Sequence, residues 1–287
     1  MSDPERSGLA LVAGLEAQPT VAGLGVLGIA LGTLCVAAGL VRGWEVPPEG
    51  NLWETATFDG GVGIFLVTLA LLAPASGLSS RALRRWAAVF VPIALYSYGI
   101  ETVQAFRGID PRFSTVAGPV DQLLGGVFFG TALGVLALFL VLAWGYFRAP
   151  ATLFRLAVRH ATLASVLSFG VGIWMSVVTQ GRTVGAEGNL LPIHAAGFHA
   201  LQAVPLVALL FLRAGAPDAL ARRWVHTTGL TWLGLCVAVT GQAASGLAPL
   251  ALSPWTATAL LFAAGWAACL VAGARAALRT TSQPATA

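Results

Sequence analysis

Eight apolar runs of about twenty residues follow one another along this chain, and a hydrocarbon core about 30 Å thick takes about that many helical residues to cross. The spacing predicts spans over Val21 to Val41, Gly61 to Leu78, Trp86 to Phe106, Val120 to Tyr146, Ala157 to Gln180, Pro192 to Leu212, Trp224 to Ser245 and Pro254 to Ala276. The expected fold class is therefore all-α, a polytopic integral membrane bundle of about eight transmembrane helices. Composition agrees. Only 10% of the residues are charged and the mean hydropathy is +0.81, whereas soluble domains average about 25% charged. The lipid bilayer is the first partner this implies.

Connections between the runs are short, so one domain is expected: a tail over 1–20, a single helical membrane domain over 21–278, and a disordered tail over 279–287. No internal repeat stands out. The first run is preceded by Asp3, Glu5, Arg6 and Glu16 and lacks the basic start of a signal peptide, so it reads as a span. All sixteen basic residues are arginine. They cluster as Arg81, Arg84, Arg85, then Arg148, Arg155, Arg159, then Arg213, Arg222, Arg223, then Arg275 and Arg279, which places alternate connections and both termini in the cytoplasm. This is a topological signature and not a nucleic-acid patch. It fits a bacterial cytoplasmic membrane. The opposite connections carry Arg42, Arg107, Arg112 and Arg182 beside Glu45, Glu49, Glu54, Asp59, Asp110 and Glu187.

Small residues let helix backbones approach in lipid. Gly126, Gly130 and Gly134 recur at spacing four and mark the fourth span as the clearest packing face, with Gly28 and Gly32 repeating the pattern in the first. Pro205 removes an amide inside the sixth span and predicts a kink there. Cys35, Cys236 and Cys269 fall inside spans, where they read as small hydrophobes. Trp44, Trp53, Trp86, Trp224 and Trp255 sit near span ends as an interfacial belt would.

Polar side chains interrupt the runs mainly at the non-cytoplasmic end. Ser97, Glu101 and Gln104 share one face of the third span, and His199 shares a face with Gln202 in the sixth. Glu101 lies about 8 Å and His199 about 10 Å inside the helix ends, so their depths match. Asp121, Gln122, Gln180, Arg182, Thr240 and Gln242 lie at similar depth. An ionisable group in hydrocarbon is costly and marks a functional candidate. Glu101, Gln104 and Gln202 are accordingly the candidate catalytic residues. Arg107, Gln180 and Gln242 are candidates for cofactor or headgroup binding, and His194 and His199 for metal ligation, since imidazole and carboxylate suit zinc or iron. The competing reading of each is a hydrogen bond that holds helices together. Asp121 follows Pro119 at a helix start, where a carboxylate meets the positive end of the dipole. His160 and His226 begin the fifth and seventh spans at comparable depth. They read as headgroup-level histidines, with haem ligation from two helices as the alternative.

Two stretches, residues 101–114 and His194-Ala-Ala-Gly-Phe-His-Ala-Leu-Gln-Ala-Val-Pro205, resemble a family of uncharacterised bacterial multi-span membrane proteins that carries an HxxGFHxLQAxP stretch. The resemblance implies that Glu101, Gln104, Arg107, His194, His199 and Gln202 are motif positions. Members of that family often carry Ser-His-Phe-Asn where this chain has Pro111-Arg112-Phe113-Ser114, a departure that weakens a metal role for this loop. Three functions fit the sequence: a metal- or haem-dependent membrane oxidoreductase acting on a lipophilic or periplasmic substrate, a proton-coupled transporter, and an accessory subunit of a membrane complex.

Overall fold

A computed structural model describes residues 14–179 and 181–281, without the side chains of residues 280 and 281. Eight long helices run in order: α1 (Pro19–Arg42), α2 (Leu52–Leu72, prolonged by a 3-10 turn Ala73–Ser76), α3 (Ser80–Phe106), α4 (Pro119–Arg148), α5 (Leu153–Trp174, prolonged by a π-turn Met175–Thr179), α6 (Leu191–Arg213), α7 (Asp218–Ala244) and α8 (Pro254–Thr281). All but α7 are long and apolar enough to cross a membrane. With its Arg222-Arg223 pair, His226 and threonines spread along its length, α7 holds no uninterrupted stretch that is apolar enough. This is an all-α polytopic membrane protein.

The chain divides into two compact units at Gly145 and Tyr146. Each has the same internal plan. In the first, α1 leads into a two-residue-arm hairpin, β1 (Glu45–Val46) and β2 (Gly50–Asn51), in which Glu45 pairs with Asn51 and Val46 with Gly50. In the second, α5 leads into β3 (Thr183–Val184) and β4 (Gly188–Asn189), with Thr183 opposite Asn189 and Val184 opposite Gly188. Both hairpins spell Glu-Gly-Asn-Leu at their exits, 49–52 and 187–190. Asn51 Oδ1 caps α2 by accepting from the Glu54 amide at 3.1 Å, and Asn189 Oδ1 accepts from Leu191 N at 2.9 Å.

The loop after the third helix of each unit then folds back onto that unit's hairpin. Glu49 N donates to Gly108 O (2.9 Å), and Glu187 N donates to Gly246 O (3.1 Å). Gly108 and Gly246 both hold positive φ, 78° and 70°, a conformation that glycine adopts without strain. The helix-connecting glycines Gly77 and Gly215 match in the same way, at φ 83° and 60°. Every one of these pairs is 138 residues apart. Over 43–111 against 181–249 that ungapped register matches 19 of 69 residues, among them Arg84-Arg85-Trp86 with Arg222-Arg223-Trp224 and Thr102, Gln104 and Ala105 with Thr240, Gln242 and Ala243. The expectation of no internal repeat is thus corrected. Apolar residues that merely keep a span apolar dilute the match, and the shared positions are scattered turn and anchor residues.

Ahead of the hairpins the register shifts by one. A Cβ on Gly28 of α1 would meet the main-chain oxygen of Asp59, and Ser165 of α5 donates to the oxygen of Gly197, so the helix partners are 137 apart where the acceptors are 138 apart. The π-turn at the end of α5 takes up the additional residue.

Packing in the first unit centres on α1 against α2. Added Cβ atoms on Gly25, Gly28 and Gly32 would come within 3 Å of Gly63, Asp59 and Ala56 carbonyls, so these glycines form the close seam. Gly126 and Gly130 of α4, expected to pack, have nothing within 4 Å, and only Gly134 lies against a neighbour, Ile93. The α4 face instead meets its unit through larger side chains: Phe128 on Phe58, Phe139 on Phe65, and the Trp86 indole donating to Leu138 O at 2.9 Å. Trp86 is thereby a buried packing residue and not a belt residue. The three cysteines are buried and free, as expected. Helix α6 continues through Pro205, which is buried within it.

Candidate functional site

In the first unit the hairpin, the start of α2 and the end of α3 converge with the loop 107–118, and charged side chains meet there. Glu101, fully buried on α3, accepts a 2.8 Å hydrogen bond from Arg112 Nη2, closing an ion pair whose arginine is 22% exposed. The Arg112 guanidinium also sits 5.3 Å from the Phe58 ring centre. Asp110 fixes the turn that delivers it, its Oδ1 accepting from the amides of Arg112 (2.8 Å) and Phe113 (3.2 Å). Arg112, which the sequence places in a connection, therefore neutralises the buried acid. Around it lies a small pocket lined by Glu49, Glu54, Glu101, Asp110 and Arg112, with Asn51 and Thr55.

Asp59 is the residue that sequence reasoning misplaced. Its polarity places it in the connection before the second span, but the tight hairpin and the Asn51 cap start α2 at Leu52, two turns earlier, and carry Asp59 inside the unit with no exposed surface. Thr102 donates to its Oδ2 at 2.9 Å. Its Oδ1 and the hydroxyl of Tyr98, both buried, have no hydrogen-bond partner among the described residues. The legible signal was Asn followed three residues later by Glu at the head of an apolar run.

One turn beyond Glu101 a second network closes the loop. Gln104 Nε2 donates to Asp121 Oδ1 (2.8 Å), while Arg107 Nη1 donates to both Gln104 Oε1 (2.6 Å) and Asp121 Oδ1 (2.7 Å). Asp121 thus does more than meet the α4 dipole: it ties the two ends of the loop together. Glu49 clasps the same loop, accepting from the hydroxyls of Ser114 and Thr115 and from the Thr115 amide at 2.8 Å. These bonds hold its carboxyl below the usual carboxylate range, the Ser114 hydroxyl contributing most.

The other candidates belong to the second unit. His194 directs Nδ1 to Ser168 O (3.0 Å) and packs edge-on against Phe198. His199, exposed, directs Nδ1 to Gln202 Oε1 (3.1 Å). Gln242 is buried and holds its own loop, donating to Ala248 O (2.7 Å) and Ala251 O (3.1 Å) and accepting from the Ser253 hydroxyl. It occupies the place of Gln104, and both are loop anchors. Gln180 lies outside the described residues. Among the described residues no three His, Cys, Asp or Glu side chains are grouped so as to hold a metal ion.

No family model, curated protein or solved structure matches this chain.

Proposed function

We propose that the protein is a proton-coupled carrier whose protonatable centre is the first unit's Asp59 and Glu101. The observation that supports this most is the burial of two carboxylates on adjacent spans, Asp59 with an oxygen that meets no hydrogen-bond donor among the described residues. An ionised carboxylate in such surroundings is expensive, and a proton removes the cost. The acidic pocket above them would concentrate protons and cations at its mouth. A proton reaching Glu101 would weaken its attraction for Arg112, whose loop position and partial exposure allow it to swing outward. That movement would open the pocket. Gln104, Arg107 and Asp121 hold the loop from which Arg112 projects. The arginine clusters lie at the helix ends opposite the hairpins, which supports a cytoplasmic face there and a pocket open to the other side.

The test is proton entry into proteoliposomes at an imposed inside-negative potential, read with a trapped pH-sensitive dye. Flux in Asp59→Asn and Glu101→Gln should fall about tenfold or more, as expected when a proton-transfer group is removed. Equal flux in the wild type and both variants would overturn the proposal.

A further inference from the structure

All four histidines lie in the second unit, and two of them meet away from the residues discussed so far. His160 of α5 and His226 of α7 each stand about two turns inside their helix starts, at the end of the unit opposite the hairpin. His160 Nε2 lies 3.0 Å from His226 Nδ1, with the ring planes at 89°. We propose that this pair is a divalent transition-metal site, taking copper, nickel or zinc on two imidazole nitrogens with solvent completing the shell.

Three observations carry the inference. The first is the separation: two nitrogens bound at about 2.0–2.1 Å to one ion at a tetrahedral angle stand about 3.3 Å apart, so the pair needs to open by only a few tenths of an ångström. The second is access. His160 is half-buried and His226 exposed, which fixes one ring and leaves room for water on the other. Nearby arginines are held elsewhere: Arg159 donates to the carbonyls of Tyr146 (3.0 Å) and Ala149 (2.6 Å), and Arg222 to Asp218 (2.7 Å) and Ala151 O (2.8 Å).

The third is the repeat. A Cβ on Gly229 would come within 2.6 Å of three atoms of His160, so glycine there is what lets the ring lie against α7. In the first unit, 138 residues earlier, His226 and Gly229 are replaced by Ala88 and Val91, and α1 has no histidine at all. The shared architecture does not need this pair. It is an addition to one copy, with the backbone relieved to accept it.

The experiment uses the full-length protein in detergent, without a histidine tag, titrated with Cu2+ and Ni2+ at neutral pH. Expected is one ion per chain, with copper held more tightly than nickel by the usual order for nitrogen ligands and an electron-spin signal from Cu2+ split by two imidazole nitrogens. His160→Asn and His226→Gln should each weaken binding about tenfold or more and remove one nitrogen from the signal, while His194→Ala with His199→Ala should leave both readouts unchanged. Binding that survives both single variants, or follows His194 and His199, would overturn the proposal. So would the absence of stoichiometric binding by a wild type that elutes as a single folded species. Because the readout is metal content and spin coupling, its failure is separate from failure of the proton-carrier reading.

Discussion

The two units close their hairpins in the same register, cover them with the same glycine-bearing loop and anchor that loop with the same glutamine, yet one surrounds this joint with charge and the other with apolar groups. Where the first has Asp59, Tyr98, Glu101 and Arg112, the second has Gly197, Cys236, Val239 and Leu250. Residues shared by both copies, such as Asn51 with Asn189 and Gln104 with Gln242, make bonds that build the joint. Asp59, Tyr98 and Glu101 are confined to one copy, so the joint common to both units does not depend on them. The comparison thus separates scaffold from chemistry inside a single chain, with Gln104 and Gln242 making the loop bonds common to both.

The sharpest way to break this distinction is to turn the first unit into the second. Arg112→Leu alone leaves Glu101 buried without its cation and should cost about 3–5 kcal/mol. Glu101→Val with Arg112→Leu, which installs the second unit's own residues, should recover most of that loss of thermal stability in detergent while abolishing proton flux. If the double variant is as unstable as the single, the ion pair belongs to the scaffold after all.

The shared glycines come next. Gly108→Ala and Gly246→Ala both force a side chain into the left-handed region at about 1–2 kcal/mol. An added Cβ on Gly108 would also stand 2.1 Å from Pro47 O, whereas one on Gly246 meets nothing closer than 3.4 Å, so the first should lower the melting temperature more. Gln242→Leu should cost about 1–3 kcal/mol, because two carbonyls and a hydroxyl each lose one of their partners, and Gln104→Leu should fall in the same range. Unequal losses there would argue that one glutamine does more than anchor.

A smaller effect is expected from pH. Because the folded protein holds the Glu49 carboxyl below its unfolded value of about 4.3, this residue stabilises the loop above that pH and ceases to do so as pH falls through the lowered value. The stability difference between wild type and Glu49→Gln should therefore shrink on acidification. Smallest of all, Gly130→Leu should change stability by no more than about 0.5 kcal/mol, since open space surrounds that glycine. A large loss would restore the glycine face of α4 as a packing surface.

Much of the fold was legible because lipid imposes one rule on every span: length and hydropathy place both ends of α1, α4 and α6 closely. Span starts were less legible. The sequence reads Glu54 and Asp59 as loop, because polarity signals exposure, whereas a two-residue hairpin arm and an asparagine cap let α2 begin before its apolar stretch. Burial of Glu101 could be inferred from its depth, but its partner Arg112, eleven residues along, depended on the path of a loop that no periodicity encodes. The glycines of α4 illustrate the converse error, since spacing of four marks a face without saying whether anything faces it.

The π-turn at the end of α5 works as a shim. An inserted residue that would rotate everything downstream by a third of a turn is instead swallowed within five residues, and the hairpin, helix caps and loop anchors beyond it keep the positions their counterparts hold in the first unit. Length can thus drift inside a crossing helix of this architecture while the joint at its end stays in register.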